Sequence, residues 1–228
     1  MTIIKSTQEV KNITDSQLLD ESCPQSPKIQ NEIQFQPLQL SSYDPSKPTI
    51  NYKLSIIGSS GCGKTSIARR LMQQEFEEFK PTIGIDLYHL KFAAKTESKK
   101  AINVNLSIVD TAGMEKFNAI NNAMFRGSDY CLLVFAVNDR RSFESLPKWQ
   151  TLVKQTVDCK FILIGNKCDE KRTIDFVEIQ QLANSLDVER YVECSAKVGY
   201  SIGNIINQLW TDKKEDSKNQ KLKPQDQK

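Results

Sequence analysis

The fold of this chain is decided by the stretch Gly58-Ser59-Ser60-Gly61-Cys62-Gly63-Lys64-Thr65. It fits the pattern Gly-x-x-x-x-Gly-Lys-Thr, and it lies between an apolar run at 53–57 and an amphipathic helix predicted at 64–74. Glycines let the backbone curl so that successive N–H groups point inward, and the N-terminus of the following helix adds a partial positive charge. The sequence therefore predicts a strand, loop and helix that together bind phosphate groups.

Short apolar strands alternate with amphipathic helices along the rest of the chain. Runs at 130–137 and 161–165 are apolar throughout and are predicted to be central strands buried on both sides. Residues 102–108 alternate between apolar and polar, which predicts a strand that pairs antiparallel with 84–93 and has Asn103 on its solvated face. We predict an α/β fold with a mostly parallel six-stranded sheet, one antiparallel edge strand and helices on both faces. The helices are predicted at 64–74, 140–156, 174–186 and 200–210.

The composition supports one domain with two flanking segments. With 228 residues, of which 39% are apolar, the chain can bury the core of one ordinary α/β domain, which we place at 51–210. Residues 1–48 hold five of the eight prolines and none of the nine glycines, so we predict a disordered N-terminal extension. Short apolar pieces such as 33–40 could instead dock on the domain or on a partner. Residues 211–228 are almost all charged or amide side chains and predict a disordered charged tail.

Three residues in or near the loop have the chemistry of a phosphate and metal site. Lys64 supplies a full positive charge for the outer phosphates, and the hydroxyl of Thr65 is placed to coordinate Mg²⁺, which prefers oxygen ligands. A carboxylate is also needed near the metal, and Asp110, at the end of the alternating strand, is the natural candidate. An aspartate at a strand end is more often a cap or turn residue, so this role depends on its neighbours.

Two further motifs indicate which base accompanies the phosphates. Asn166-Lys167-Cys168-Asp169 directly follows the apolar strand at 161–165, and Ser195-Ala196-Lys197 follows the next strand. A carboxylate can accept hydrogen bonds from both N1–H and the exocyclic amine of guanine, whereas adenine offers a different donor pattern. Guanine is therefore favoured over adenine.

The order of these motifs resembles the Ras superfamily of small GTPases. Within it, Thr82-Ile83-Gly84-Ile85-Asp86, Phe125-Arg126-Gly127 and Glu193-Cys194-Ser195-Ala196-Lys197 look most like the Rab group. The resemblance implies a P-loop NTPase fold and a molecular switch that binds GTP or GDP with Mg²⁺, hydrolyses GTP and regulates vesicle or membrane traffic. Such switches work because contacts to the γ-phosphate order two loops that relax after hydrolysis.

The same resemblance implies roles for individual residues. Thr82 would complete the Mg²⁺ shell and touch the γ-phosphate, and Gly113 would contact that phosphate. Phe76 would lie against the guanine, with Phe79 as the alternative because the segment leading to Thr82 is one residue shorter than usual. The metal ligands would be Thr65, Thr82 and Asp110, and the catalytic positions Lys64, Thr82, Gly113 and Met114. The nucleotide would contact Ser60, Gly61, Cys62, Gly63, Lys64, Thr65, Ser66, Phe76, Thr82, Gly113, Asn166, Lys167, Asp169, Ser195, Ala196 and Lys197.

One position departs from the family pattern. Met114 stands where these proteins usually carry a glutamine, and a thioether cannot orient the attacking water as an amide can. We expect slow intrinsic hydrolysis and a long-lived GTP state. Normal turnover assisted by a partner, and a GTP-binding scaffold with negligible hydrolysis, are the alternatives. An ATP-using enzyme such as a small kinase would need lid elements that the sequence does not show.

Expected partners follow from the resemblance and from the charge pattern. They are a guanine nucleotide exchange factor, a GTPase-activating protein and effectors. A formal charge of +3 without a dense Lys/Arg stripe gives no reason to expect nucleic-acid binding. The tail at 211–228 contains no cysteine that could carry the prenyl group typical of Rabs, so membrane contact is expected only indirectly or weakly. We expect a cytoplasmic monomer that reaches endomembranes through its partners.

Overall fold

Six strands form a single sheet with helices between them. The computed structural model describes residues 43–77, 82, 84–95, 101–111, 122–188 and 190–211. The strands are β1 (Thr49–Ile57), β2 (Ile85–Lys95), β3 (Ala101–Thr111), β4 (Tyr130–Ala136), β5 (Lys160–Asn166) and β6 (Arg190–Glu193). The helices are α1 (Lys64–Leu71), α2 (Asn122–Phe125), α3 (Arg140–Glu144), α4 (Leu146–Lys154), α5 (Phe176–Ser185) and α6 (Ile202–Thr211).

The sheet has the strand order β2-β3-β1-β4-β5-β6. The edge strand β2 pairs antiparallel with β3, and every other neighbouring pair is parallel. Parallel strands need a crossover connection, and the helices that alternate with the strands along the chain supply it. The predicted α/β fold, with a mostly parallel six-stranded sheet and one antiparallel edge strand, is confirmed.

Helices cover both faces of the sheet. All seven residues of β4 are buried. Alternate side chains of a strand point to opposite faces, so Leu132 and Val134 join the core beneath α1 and α6, whereas Leu133 and Phe135 join the core beneath α3, α4 and α5. Among the described residues, no helix combines the length and the apolar character that crossing a membrane requires.

The helix predicted at 140–156 is divided into two. Its first part, α3, ends at Glu144, and α4 begins at Leu146 with Pro147 in its first turn. Proline has no N–H group to donate to a carbonyl in the preceding turn, so the hydrogen bonding of a regular helix is interrupted at this point, whereas a proline in the first turn of a new helix is favourable. The break places Ser145 between the two helices, where its side chain faces the loop that follows β1.

The side chain of Asn103 is buried, so the prediction that it lies on a solvated face is wrong. Its amide Nδ2 donates to the carbonyl oxygens of Asp44 at 2.6 Å and Lys47 at 3.1 Å, and its Oδ1 accepts from the N–H of Asp44 at 3.1 Å. The segment that precedes β1 therefore covers this end of β3. Residues 1–42 of the predicted extension at 1–48, and residues 212–228 of the predicted tail at 211–228, lie outside the described residues.

Candidate functional site

The predicted site residues meet at one edge of the sheet. The Gly58 loop follows β1, Asp110 lies near the end of β3, Asn166 ends β5, and Ser195 follows β6. Because the carboxyl ends of parallel strands lie at the same edge, the loops after them come together, and ligands of α/β proteins commonly bind there.

Two glycines of the loop have conformations and surroundings that admit no side chain. Gly58 has φ 152°, and a Cβ built on it would overlap the carbonyl oxygen of Val134 on β4. Gly63 has φ 97°, and a Cβ there would overlap Nδ2 of Asn166. The glycines of the pattern are thus required both for the curl of the loop and for its close approach to β4 and β5.

Positive charge is concentrated at the centre of the loop. Lys64 is buried, and its ammonium donates to the carbonyl oxygens of Gly58 and Ser59, both at 2.8 Å. Gly63 caps α1 without a side-chain hydrogen bond, and the first helical bond runs from the N–H of Ile67 to the carbonyl of Gly63 at 3.0 Å. The N–H groups of the first turn therefore have no partner within the helix and suit an anion.

Oxygen atoms from three separate elements meet beside this loop. The hydroxyl oxygens of Thr65 and Thr82 are 2.6 Å apart, and Asp110 is fully buried. Neither carboxylate oxygen of Asp110 has a hydrogen-bond partner among the described residues. Burial raises the pKa of Asp110 to about 6, and the nearby Thr65 hydroxyl and Lys64 ammonium oppose that rise.

These oxygens fit a magnesium ion. A buried carboxylate without hydrogen bonds is costly unless a cation or another ligand satisfies it. Within the described ranges no group of three or more His, Cys, Asp or Glu side chains is placed to hold a metal, so a metal here would depend on hydroxyl oxygens as well. Mg²⁺ is commonly bound in this way, by one or two carboxylates with substrate phosphates and water. Thr65, Thr82 and Asp110 thus lie close together, and their role as metal ligands stays a prediction.

Asn166 joins the base motifs to the phosphate loop. It is buried at the end of β5, where its Nδ2 donates to the carbonyl of Cys62 at 2.9 Å. Its Oδ1 accepts from the backbone N–H of Ala196 at 3.1 Å. One side chain therefore fixes the distance between the loop after β1 and the loop after β6.

Asp169 and Ser195 link the two base motifs directly. The hydroxyl of Ser195 donates to Oδ1 of Asp169 at 2.5 Å, and the N–H of Cys168 donates to the carbonyl of Cys194 at 3.2 Å. Lys167, between Asn166 and Asp169, has φ 64°, a left-handed conformation that is uncommon for a residue other than glycine. The chain thus turns sharply after β5, and the Asp169 carboxylate is held in one orientation.

The remaining predicted site residues are placed as follows. Ser60 and Gly61 form the tip of the loop, Cys62 is buried beneath it, and Ser66 lies in the first turn of α1. Phe76 is 38% exposed, next to Glu77, whose carboxylate receives two hydrogen bonds from Arg69 at 2.7 and 3.0 Å. The contact of Phe76 with a base stays a prediction. Gly113, Met114 and Phe79 lie outside the described residues.

The sequence patterns missed one group of residues behind the loop. The hydroxyls of Ser59 and Ser145 are 2.7 Å apart, and Nε1 of Trp149 donates to the Ser59 hydroxyl at 3.5 Å. Ser145 also donates to the carbonyl of Ser142 at 2.8 Å. These contacts fix the second residue of the loop to α3 and α4. The position of Pro147 was the sequence signal for the helix break that brings Ser145 here.

Arg70 was also missed. It is buried on α1, and its guanidinium donates to the carbonyl oxygens of Ala196 at 2.7 Å and Lys197 at 2.8 Å. A sequence signal existed, because Arg70 comes three residues after Ile67, and residues at this spacing share a helix face. A charged residue on the core face of a helix indicates a specific buried partner.

Sequence comparisons with known proteins identify a family and several relatives. The model of the Ras family matches residues 53–215. The chain is 34% identical to the Ras-related protein Rab-12 of Mus musculus over 74% of the chain and 70% of that protein. It is 36% identical to the Ras-related protein SEC4 of Candida albicans (69% of the chain, 74% of that protein) and 36% identical to the Ras-related protein Rab-17 of Mus musculus (68% and 72%).

The match covers most of the chain and includes the phosphate loop, Asp110 and both base motifs. Curated relatives named as Rab proteins match about 70% of the chain at more than 30% identity. The chain therefore belongs to the Ras family, in which it is a Rab-like small GTPase.

Proposed function

We propose that this chain is a molecular switch that binds GDP and GTP with Mg²⁺, hydrolyses GTP slowly on its own and regulates vesicle or membrane traffic. Its partners are an exchange factor, a GTPase-activating protein and effectors that bind one nucleotide state. Family membership supports the switch, and the names of the relatives support the link to Rab function.

The observation that carries the proposal is the meeting of Asp110, Thr65 and Thr82 beside Lys64. The two hydroxyl oxygens are 2.6 Å apart, and the buried Asp110 carboxylate has no hydrogen-bond partner among the described residues. A lysine charge and uncapped helix N–H groups bind phosphate, and the oxygen cluster binds the cation that accompanies it. A nucleoside di- or triphosphate with Mg²⁺ satisfies both requirements at once.

Guanine specificity depends on Asp169. Its carboxylate is held by the Ser195 hydroxyl, so it can accept from the N1–H and amine donors of guanine without first losing conformational freedom. Asn166 keeps this loop at a fixed distance from the phosphate loop, so base and phosphates are bound as one unit.

The proposed hydrolysis depends on residues that bind and orient the triphosphate. Mg²⁺, when bound, neutralises charge that develops on the phosphate oxygens. Lys64 would stabilise the same charge, Thr82 would order the first switch segment around the γ-phosphate, and Gly113 would contact that phosphate. Met114 can neither donate nor accept a strong hydrogen bond to the attacking water, so intrinsic hydrolysis is slow until a partner supplies the missing group.

The test begins with the nucleotide that purified, folded protein carries. Extraction and chromatography should identify GDP or GTP, and single-turnover hydrolysis of loaded GTP should be slow. Met114→Gln should raise the rate about tenfold or more, because an amide can orient water. Met114→Leu is the matched control, since leucine is similar in size and equally unable to orient water, and it should leave the rate unchanged. An ordinary Rab-like rate in wild type that Met114→Gln does not raise further would reject slow hydrolysis.

The second candidate function is a GTP-binding scaffold with negligible hydrolysis. Met114 is the observation that favours it. It predicts that GTP stays intact for hours in the wild-type protein and that Met114→Gln does not restore turnover. The same single-turnover measurement thus separates the scaffold from the slow switch.

A further inference from the structure

Arg70 is a buried cation whose described hydrogen bonds go to backbone carbonyls. Its Nε donates to the carbonyl of Ala196 at 2.7 Å, and its Nη2 donates to the carbonyl of Lys197 at 2.8 Å. A longer bond of 3.4 Å joins Nη1 to the carbonyl of Gln74, just after α1. The side chain therefore connects the helix of the phosphate loop with the loop that follows β6.

This arrangement restrains two successive peptide groups. A peptide is planar and trans, so its C=O and N–H point in opposite directions. Holding the carbonyl of Ala196 toward α1 directs the N–H of Lys197 away from α1. Holding the carbonyl of Lys197 does the same for the N–H of Val198, which donates to the Ser195 hydroxyl at 3.3 Å. The same hydroxyl binds Asp169.

The guanidinium is suited to this task. Its donors form a rigid planar fork that can hold two acceptors at once, whereas a lysine ammonium is a point charge on a flexible stem. Burial lowers the pKa of Arg70, and the carbonyl oxygens compensate for part of the lost hydration. A leucine would cover the same apolar surface, so two specific carbonyl contacts indicate a role in loop geometry.

We propose that Arg70 is a positioning residue for guanine recognition, which holds the Ala196 carbonyl toward α1 and thereby directs the N–H of Lys197 so that it can donate to O6 of the base. The proposal rests on the proposed function. Guanine presents the acceptor O6 next to the N1–H and amine donors that Asp169 would bind, so a complete site needs a donor beside the carboxylate. The loop after β6 lies beside Asp169 and carries that donor.

The experiment separates the two halves of base recognition with two GDP analogues. In 6-thio-GDP a weakly accepting sulfur replaces O6, while N1–H and the amine stay. IDP lacks the amine but keeps O6. Dissociation constants for GDP and both analogues are measured for wild type, Arg70→Gln and Arg70→Lys. Arg140→Gln, which removes an exposed ion pair with Glu178, is the matched control.

In wild type, GDP should bind about tenfold more tightly than 6-thio-GDP, because the O6 hydrogen bond is weakened. Arg70→Gln should reduce this preference to about twofold, and the preference of Arg70→Lys should lie between those of wild type and Arg70→Gln. The preference for GDP over IDP reports the contact between Asp169 and the exocyclic amine. In all variants it should stay within about twofold of its wild-type value. Arg140→Gln should change neither ratio.

Unchanged preference for GDP over 6-thio-GDP in Arg70→Gln would overturn the proposal. An equal loss of both preferences would also overturn it, since Arg70 would then support only the general stability of the loop. Failure of the wild-type protein to bind GDP is a different result, because it would remove the proposed function itself before any variant is compared.

Discussion

The site has a base side, formed by Asn166, Asp169 and Ser195, and a metal side, formed by Thr65, Thr82 and Asp110. The two sides contain similar polar groups but differ in how far hydrogen bonds within the protein satisfy them. On the base side, Asn166, Ser195 and Asp169 are joined by hydrogen bonds of 2.5 to 3.1 Å to one another or to neighbouring backbone. On the metal side, Asp110 is fully buried and both its oxygens are without hydrogen-bond partners among the described residues.

The difference shows which half the fold completes by itself. A buried polar group without a partner costs about 1 to 3 kcal/mol, so the metal side carries a penalty that a ligand can relieve. On the base side, hydrogen bonds already orient Asp169 and Asn166, so this side offers a preorganised surface. Base specificity should therefore depend on protein contacts, and affinity on the cation.

Asp169→Asn should produce the largest effect, because it reverses the polarity of the base-reading group. The amide keeps one oxygen that accepts from N1–H but places a donor opposite the exocyclic amine, so GDP loses one hydrogen bond, while xanthosine diphosphate, with an oxygen in place of the amine, gains a partner. The ratio of the two dissociation constants should change by about 10³-fold or more toward xanthine. Competition binding with both nucleotides measures it.

Glu170→Gln is the control for this change, since Glu170 is the next residue and is exposed. It should keep the wild-type preference. An Asp169→Asn protein that folds and still prefers GDP would show that another group reads the base.

Asp110→Asn should have an intermediate effect and should act on the cation instead of the base. Chelation of Mg²⁺ should weaken GDP binding about 100-fold in wild type and less than about fivefold in Asp110→Asn. The neutral amide also removes a buried charge, so the metal-free variant should unfold at a higher temperature than metal-free wild type.

Dissociation rates with and without EDTA, together with thermal unfolding, measure both effects of Asp110→Asn. Asp187→Asn, an exposed position with φ 51° that asparagine tolerates, is the control. Equal sensitivity to chelation in wild type and Asp110→Asn would contradict the metal assignment.

Glu178→Gln should produce the smallest effect, a small loss of stability. Glu178 forms an exposed ion pair with Arg140, away from the base side and the metal side of the site. The hydrogen bond from Arg140 lowers the pKa of Glu178 from its usual 4.5 to about 2. A lowered carboxyl pKa stabilises the fold above the unfolded pKa, and this stabilisation is lost as the pH falls through the folded pKa.

At pH 7 the unfolding temperature of wild type should therefore be slightly higher than that of Glu178→Gln. This difference should disappear as the pH falls from about 4.5 to about 2. Thermal unfolding followed by circular dichroism across this range provides the measurement. A gap that widens on acidification would show that the ion pair is not its source.

Local patterns predicted the architecture and the positions of the motifs. The apolar run of β4 and the alternation in β3 each depend on neighbouring residues, and the structure confirms both strands. The phosphate loop could be found because its glycines and Lys64 lie within one short stretch of the sequence. Its role as a nucleotide site, like those of the other site residues, stays a prediction.

Contacts between distant parts of the chain could not be predicted from these local patterns. Asn103 looked solvated because its own strand alternates, yet a segment 59 positions away covers it. Arg70 and the carbonyl of Ala196 are 126 positions apart. Nothing in either segment alone specifies the other. The helix break at Ser145 could have been predicted, since Pro147 is a local signal that a helix is interrupted.

Trp149, one of two tryptophans in the chain, gives the protein an optical label of its own. Its indole is buried and its N–H donates to the Ser59 hydroxyl, so any shift of the glycine-rich loop alters the polarity around the ring. Emission from this indole should respond when one nucleotide replaces another. Exchange kinetics can then be recorded on unmodified protein, without a dye attached to the ligand.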